Sequence, residues 1–116
     1  MENAYPVRGS VWQVRLDPVE GSEQGGTRPV LVISSDELNA ALPVVTVAVI
    51  TSRKTGRIFR TEVLIEAPDG GLPMTSKVLL YQVRTVSKSR LQGRMGQLSG
   101  DRMAQVEAAV RLALSV

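Results

Sequence analysis

Gly21-Ser22-Glu23-Gln24-Gly25-Gly26-Thr27-Arg28-Pro29-Val30-Leu31-Val32-Ile33 is the stretch that decides the fold. Its first six residues are three glycines and three hydrogen-bonding side chains, and its last five are apolar and largely β-branched. So abrupt a change marks a loop running into a buried strand, because glycine frees the backbone and β-branched residues suit a pleated surface. The strand is expected over residues 29–34 and the loop over 17–27, where Pro18 adds a second breaker. A loop of this length exceeds what a hairpin needs, and long loops inside compact domains tend to carry function. Its glycine spacing matches neither a Walker loop nor a dinucleotide fingerprint. Ser22, Glu23 and Gln24 can read base edges or cover a substrate, and Arg28, where loop meets strand, suits bidentate phosphate binding.

Outward from there the chain is a series of short strands. Residues 11–16 set Val11, Val14 and Leu16 against Gln13 and Arg15, with Trp12 breaking strict alternation. Residues 44–51 form the most β-rich run, followed by a basic loop over 52–60 with Arg53, Lys54, Arg57 and Arg60. A strand is expected over 61–65, a turn at Pro68-Asp69-Gly70-Gly71, one or two strands over 76–86 and a last short one over 90–95. Between the second and third strands, residues 36–42 can form a short helix capped by Ser34 or Ser35 and ended by Pro43. The end of the chain changes character. Ser99 can cap a helix with Asp101 in its first turn, and Met103, Val106, Val110 and Leu114 recur at helical spacing as a core-facing stripe. Short strands followed by one helix indicate a mostly β fold, a small barrel with helical additions.

The 116 residues suit a single domain, 1–116, and 43% hydrophobic residues suffice for a core. A domain of this size keeps much surface for its volume, which makes oligomerisation a natural way to bury more. The net charge of +3 leans towards a polyanionic partner, although the basic residues form no long run. There is no Cys and no His, which removes thiol nucleophiles, imidazole acid–base catalysis, a Ser-His-Asp triad and the common zinc sites. Any chemistry must come from Arg, Lys, carboxylates, hydroxyls and amides. Residues 1–10 lack an apolar signal core, and the apolar run 44–50 is too short to span a bilayer, so a soluble, cytoplasmic protein is expected.

Two further segments carry polar residues at strand edges. Val47-Ala48-Val49-Ile50-Thr51-Ser52 places Thr51 where an apolar strand gives way to the basic loop. Gln82-Val83-Arg84-Thr85-Val86 alternates along a strand and leads to Lys88-Ser89-Arg90-Leu91. Each alone reads as a wet strand face.

Together with the glycine-rich stretch they resemble the MazF/PemK/Kid toxins. The matching pieces run from about residue 9 to 98: Arg8-Gly9-Ser10-Val11-Trp12, Leu16-Asp17-Pro18, residues 21–33, Asn39, Ile50-Thr51-Ser52, Gln82-Val83-Arg84-Thr85-Val86 and Lys88-Ser89-Arg90-Leu91. The resemblance implies an SH3-like barrel of the MazF/CcdB type with a C-terminal helix, a homodimer, and cleavage of single-stranded RNA without metal or other cofactor. It implies a catalytic pair at Arg28 and Thr51, with Ser22, Glu23 and Gln24 over the site. Gln82 then lies near the RNA, and Ser52, Arg53 and Arg84 join the RNA-binding surface. Two positions depart from the pattern: Tyr81 stands where many members have an acid, and Ser87 where an Asp is usual. Ser87 is expected to be structural, whereas Tyr81 puts in doubt a mechanism needing a carboxylate at that point.

The chemistry implied is attack of the RNA's own 2′-hydroxyl on the adjacent phosphate, leaving a 2′,3′-cyclic phosphate and a 5′-hydroxyl. Arg28 would stabilise the added charge on phosphorus and Thr51 would hold a phosphate oxygen. Arginine is too basic to accept the 2′-proton, which leaves Glu23, solvent or a substrate group. Four aromatic residues (Tyr5, Trp12, Phe59, Tyr81) give few stacking platforms, so hydrogen-bonded readout is expected to dominate. The alternative on the same fold is a CcdB-like, non-enzymatic DNA gyrase poison. Those toxins rely on a Trp-Gly-Ile end, and this chain ends Ala113-Leu114-Ser115-Val116. An SH3-like peptide-binding module needs an aromatic groove that four aromatics hardly supply. A cytoplasmic RNase needs a reversible block, so an antitoxin with an acidic C-terminal tail is the expected partner.

Overall fold

The valine-rich runs become the middle of one sheet. The computed structural model describes residues 5–16 and 26–116. In chain order they form β1 (Ser10–Arg15), β2 (Thr27–Val32), α1 (Asp36–Ala41), β3 (Val44–Thr51), β4 (Glu62–Ile65), β5 (Ser76–Ser87), β6 (Leu91–Gln97) and α2 (Gly100–Leu114). All strand pairs are antiparallel, in the order β4-β5-β3-β2-β1-β6. This is the mostly β architecture with a C-terminal helix expected from the sequence.

Both faces of the sheet are buried, which explains why the strands read as apolar runs. One face carries Val11, Leu31, Ala48, Ile50, Val78 and Leu80, and Met103, Val106 and Ala109 of α2 pack on it. The other carries Val14, Leu16, Val30, Val32, Val45, Val47, Val49, Leu79 and Val86. No described helix contributes to that second cluster, so residues of β1, β2, β3 and β5 bury one another, as in a sheet curled on itself. Trp12 packs on the second cluster with Val14 and Leu16, so the alternation expected to fail at Trp12 in fact holds there. Val11 is the residue that faces the other way.

The helix stripe is shifted from its expected line. Met103 and Val106 are buried and Val110 half-buried, but Leu114 is 55% exposed. Ala109 and Ala113 pack towards the core beside Val110, because small residues let α2 lie close to the sheet. Ser99 caps α2 by accepting from Arg102 N–H, and Asp69 in turn accepts from both Ser99 N–H (2.9 Å) and its hydroxyl (2.7 Å). The expected turn at 68–71 holds a short 3₁₀ segment, Asp69–Gly71, pressed against β6. A Cβ on Gly71 would lie 2.0 Å from the Met95 carbonyl oxygen, so only glycine fits this contact.

Several residues of the family motif prove structural. Asn39 on α1 is fully buried, donates to Ser34 O (2.9 Å) and accepts from the Ser34 hydroxyl. Ser34 Oγ also accepts from Thr46 N–H (3.0 Å), so one network ties α1 to β3. Ser10 Oγ accepts from Trp12 Nε1 (2.8 Å) and donates to Val7 O, which fixes the start of β1.

Candidate functional site

A boundary shift places Arg28 inside a strand. β2 begins at Thr27, two residues before the expected start, so Arg28 is held by the ladder and pairs with Val14 of β1. On its other side β2 pairs with β3 at Val30↔Val49. That is the last pair of the two strands; continued two residues further, the same register would set Arg28 opposite Thr51. By alternation they continue the rows Val32-Val30 and Val45-Val47-Val49 out of the second core cluster. The same face is therefore valine in the interior and becomes Arg and Thr at the strand ends. Thr51 is 4% exposed, and its Oγ1 accepts from Arg53 N–H (3.1 Å). That contact orients the hydroxyl while leaving its hydrogen to be donated.

β5 supplies the neighbouring wall. Thr51 pairs with Lys77. Between Leu79↔Val49 and Val83↔Ala48 the strand advances four residues while β3 advances one. Leu80, Tyr81 and Gln82 fill this bulge, and bulges re-aim side chains next to functional sites. A cavity of about 250 Å³ results, lined by Thr51, Arg53, Lys54, Lys77, Leu79, Tyr81 and Gln82. Arg53 and Lys54 give this wall its net positive charge, since the Lys77 charge is balanced by Glu62, and such a wall suits an anion. A larger hollow of about 540 Å³ lies between β4 and α2, with Ile58, Leu64, Ala109 and Leu112 in its lining. Its lining does not include Thr51, Arg53 or Gln82.

Behind the cavity lies a polar cluster that sequence reasoning missed. Lys77 and Glu62 are each 5% exposed and form an ion pair at 3.0 Å. Lys77 Nζ also donates to Arg57 O (3.2 Å). Glu62 Oε1 accepts from Phe59 N–H (2.9 Å), and Oε2 accepts from the Tyr81 hydroxyl (2.8 Å). Burial alone would raise the Glu62 pKa. The hydrogen bonds from Phe59, Tyr81 and Lys77, with the Lys77 charge, outweigh it and hold the carboxyl below its ordinary value. Burial of the Tyr81 hydroxyl, its bond to Glu62 and the charge of that carboxylate push the phenol up to about 12. The available signal was a lysine inside the apolar run Ser76-Lys77-Val78-Leu79-Leu80, since a buried lysine needs a partner.

The structure brings together Thr51, Arg53 and Gln82 in one cavity wall; Arg28 is not among the lining residues and lies two residues past the Val30↔Val49 pair of β2 and β3. Ser52 is exposed at the start of the basic loop. Arg84 does not line the cavity; its Nη1 donates to Leu16 O (3.3 Å) and ties β5 to the end of β1. Ser22, Glu23 and Gln24 lie outside the described residues. Among the described residues, no three His, Cys, Asp or Glu side chains cluster as metal ligands would, and no helix is long and apolar enough to cross a membrane.

Residues 7–114 match the family model of the PemK-like, MazF-like toxin of type II toxin-antitoxin system. The chain is 41% identical over 109 residues to the endoribonuclease MazF of Staphylococcus saprophyticus, covering 94% of this chain and 91% of that protein. Among solved structures it is similar to MazF from Deinococcus radiodurans, with a TM-score of 0.82, 26% identity, and coverage of 98% and 100% of the two chains. A MazE-MazF structure from the same organism gives a TM-score of 0.76 at 25% identity, with coverage of 97% and 98%. With the family model matching nearly the whole chain, the protein belongs to the PemK-like, MazF-like toxins of type II toxin–antitoxin systems.

Proposed function

We propose that this MazF-family toxin is a metal-independent endoribonuclease that cuts single-stranded RNA in the cytoplasm. The observation that carries the reading is the β2–β3 register, which ends at Val30↔Val49 and, continued two residues, sets Arg28 opposite Thr51, itself in the wall of a cavity shared with Arg53, Lys54 and Gln82. The nucleophile is the 2′-hydroxyl of the RNA itself, so the protein has to stabilise charge and align groups. Arg28 binds two oxygens of the scissile phosphate through its planar fork and lowers the energy of the phosphorane; as the bond from phosphorus to the 5′-oxygen breaks, it passes a proton to that leaving oxygen and regains one from solvent. Thr51, its hydroxyl oxygen already accepting from Arg53 N–H, donates its hydrogen to a phosphate oxygen. Gln82, Ser52 and Arg53 contact the flanking nucleotides, with Ser22, Glu23 and Gln24 as further RNA-binding residues. The 2′-proton needs an acceptor. Tyr81, with its phenol pushed up to about 12, stays protonated at neutral pH. Glu62 is buried with its carboxylate already accepting three hydrogen bonds, which makes it a weak base. Glu23, solvent or a substrate group is left for that task. Single strands are preferred because the 2′-oxygen must come into line with the leaving oxygen, which an A-form helix prevents.

Two partners complete the proposal. A second copy of the chain forms a homodimer across which RNA lies, and an antitoxin with an acidic C-terminal tail blocks the basic surface. The deciding experiment is incubation of purified protein with single-stranded RNA in excess EDTA. Cleavage to 2′,3′-cyclic phosphate and 5′-hydroxyl ends is expected. Loss of cleavage in EDTA with recovery on adding magnesium would contradict the mechanism.

A further inference from the structure

Of the four aromatic residues, only Tyr81 combines exposure with a place in the cavity wall. Trp12 is half-buried against the second core cluster and its indole N–H is bonded to Ser10. Phe59 has the Arg57 guanidinium over its ring at 4.8 Å. Tyr5 belongs to none of the cavities described. Tyr81 is 53% exposed, yet its hydroxyl donates to the buried Glu62 carboxylate. The exposed part is thus the ring, and the hydroxyl is already committed. A side chain anchored at both ends, by a strand bulge and by a hydrogen bond, offers its face at little cost in conformational entropy. It lines the same wall as Thr51 and Gln82, next to Lys77. A nucleobase has a π-face whatever its identity, and its phosphate would meet the cations of that wall.

Resting on RNA as the substrate, we propose that Tyr81 is a stacking platform for one nucleobase beside the scissile phosphate and so a specificity-determining residue of this toxin. Stacking favours large and unpaired bases, and Gln82 next to it in the bulge is placed to read the edge of the stacked base.

The test compares wild type with Tyr81→Phe, Tyr81→Trp, Tyr81→Ala and Tyr81→Leu. Each folded variant, checked by circular dichroism, is given a long single-stranded RNA whose cut positions are mapped, and a short substrate for kcat and KM. Loss of the ring in the Ala and Leu variants should raise KM about 5- to 150-fold, the range for one base–aromatic stack, with kcat changed only a few-fold. It should also relax the preference at one nucleotide position. The Phe and Trp variants should keep KM within a few-fold of wild type. In parallel, 2-aminopurine placed in a cleavage-resistant 2′-deoxy substrate should be quenched at one position by wild type and not by Tyr81→Leu. If the Ala and Leu variants cut with unchanged KM and unchanged positions while wild type is active, stacking is wrong and the ribonuclease reading stands. If Tyr81→Phe is as impaired as Tyr81→Ala, the hydroxyl is the working group and the platform is overturned. A wild type that neither binds nor cuts RNA overturns both.

Discussion

Arg28 and Thr51 are the polar ends of rows that are otherwise valine. Arg28→Ala should keep the fold, since the side chain lies outside both core clusters, and lose on the order of 10²–10³ in turnover. A folded variant within a few-fold of wild type in a single-turnover assay would remove Arg28 from the chemistry. Thr51→Val keeps shape but deletes the hydroxyl and the acceptor for Arg53 N–H, so activity should drop at least tenfold with a stability cost of about 1 kcal/mol. Glu62 and Tyr81 give a pH signature. The Glu62 pKa is lowered on folding, so its contribution is present above the unfolded carboxylate value of about 4.3 and is lost as pH falls through the folded value. The Tyr81 pKa is raised, so its contribution is present below about 10 and is lost as pH rises through about 12. Thermal midpoints measured across pH should therefore fall at both extremes, and Tyr81→Phe should flatten the alkaline limb. An alkaline limb unchanged in that variant would contradict the Tyr81–Glu62 link.

The β4–β5 pair stands or falls with its buried ion pair. Lys77→Met leaves the Glu62 carboxylate without its cation and should cost about 3–5 kcal/mol, while Glu62→Met with Lys77→Met together should recover much of it. Urea unfolding of the two single variants and the double variant checks this; strictly additive losses would mean that the pair is not coupled. This element also marks the limit of what the chain alone discloses. The strands 44–51 and 76–86 were legible because hydrophobic runs report burial, and the placing of Arg28 and Thr51 near strand ends was legible because they flank apolar runs. The bulge at Leu80, Tyr81 and Gln82 was not, since it depends on which residues of β3 lie opposite. Nor was the Glu62–Lys77–Tyr81 cluster, which joins positions 15 and 19 residues apart through a strand pairing that no local pattern encodes. The shift of the α2 stripe from Leu114 to the alanines has the same origin. Helical spacing gives a period, and only the partner surface fixes its phase.

For the molecule as a whole, association and folding are the measurable consequences. Light scattering at micromolar concentration should return the mass of a homodimer, and a monomer mass would sink that proposal. An acidic tail peptide should displace RNA, and its association rate should fall as salt rises, because part of the attraction is long-range and screened. Tight binding of the peptide with cleavage unchanged would place its site elsewhere. The strand order carries a consequence in time. β1 forms one ladder with β2 and the other with β6, where Ser10 meets Gln97. A ribosome makes Ser10 early and Gln97 late. Until β6 emerges, one flank of β1 is a bare edge, open to pairing with any other extended chain. In pulsed hydrogen exchange, the β1 amides that face β6 should gain protection only in the phase that orders β6, the slow step expected of contacts so distant along the chain.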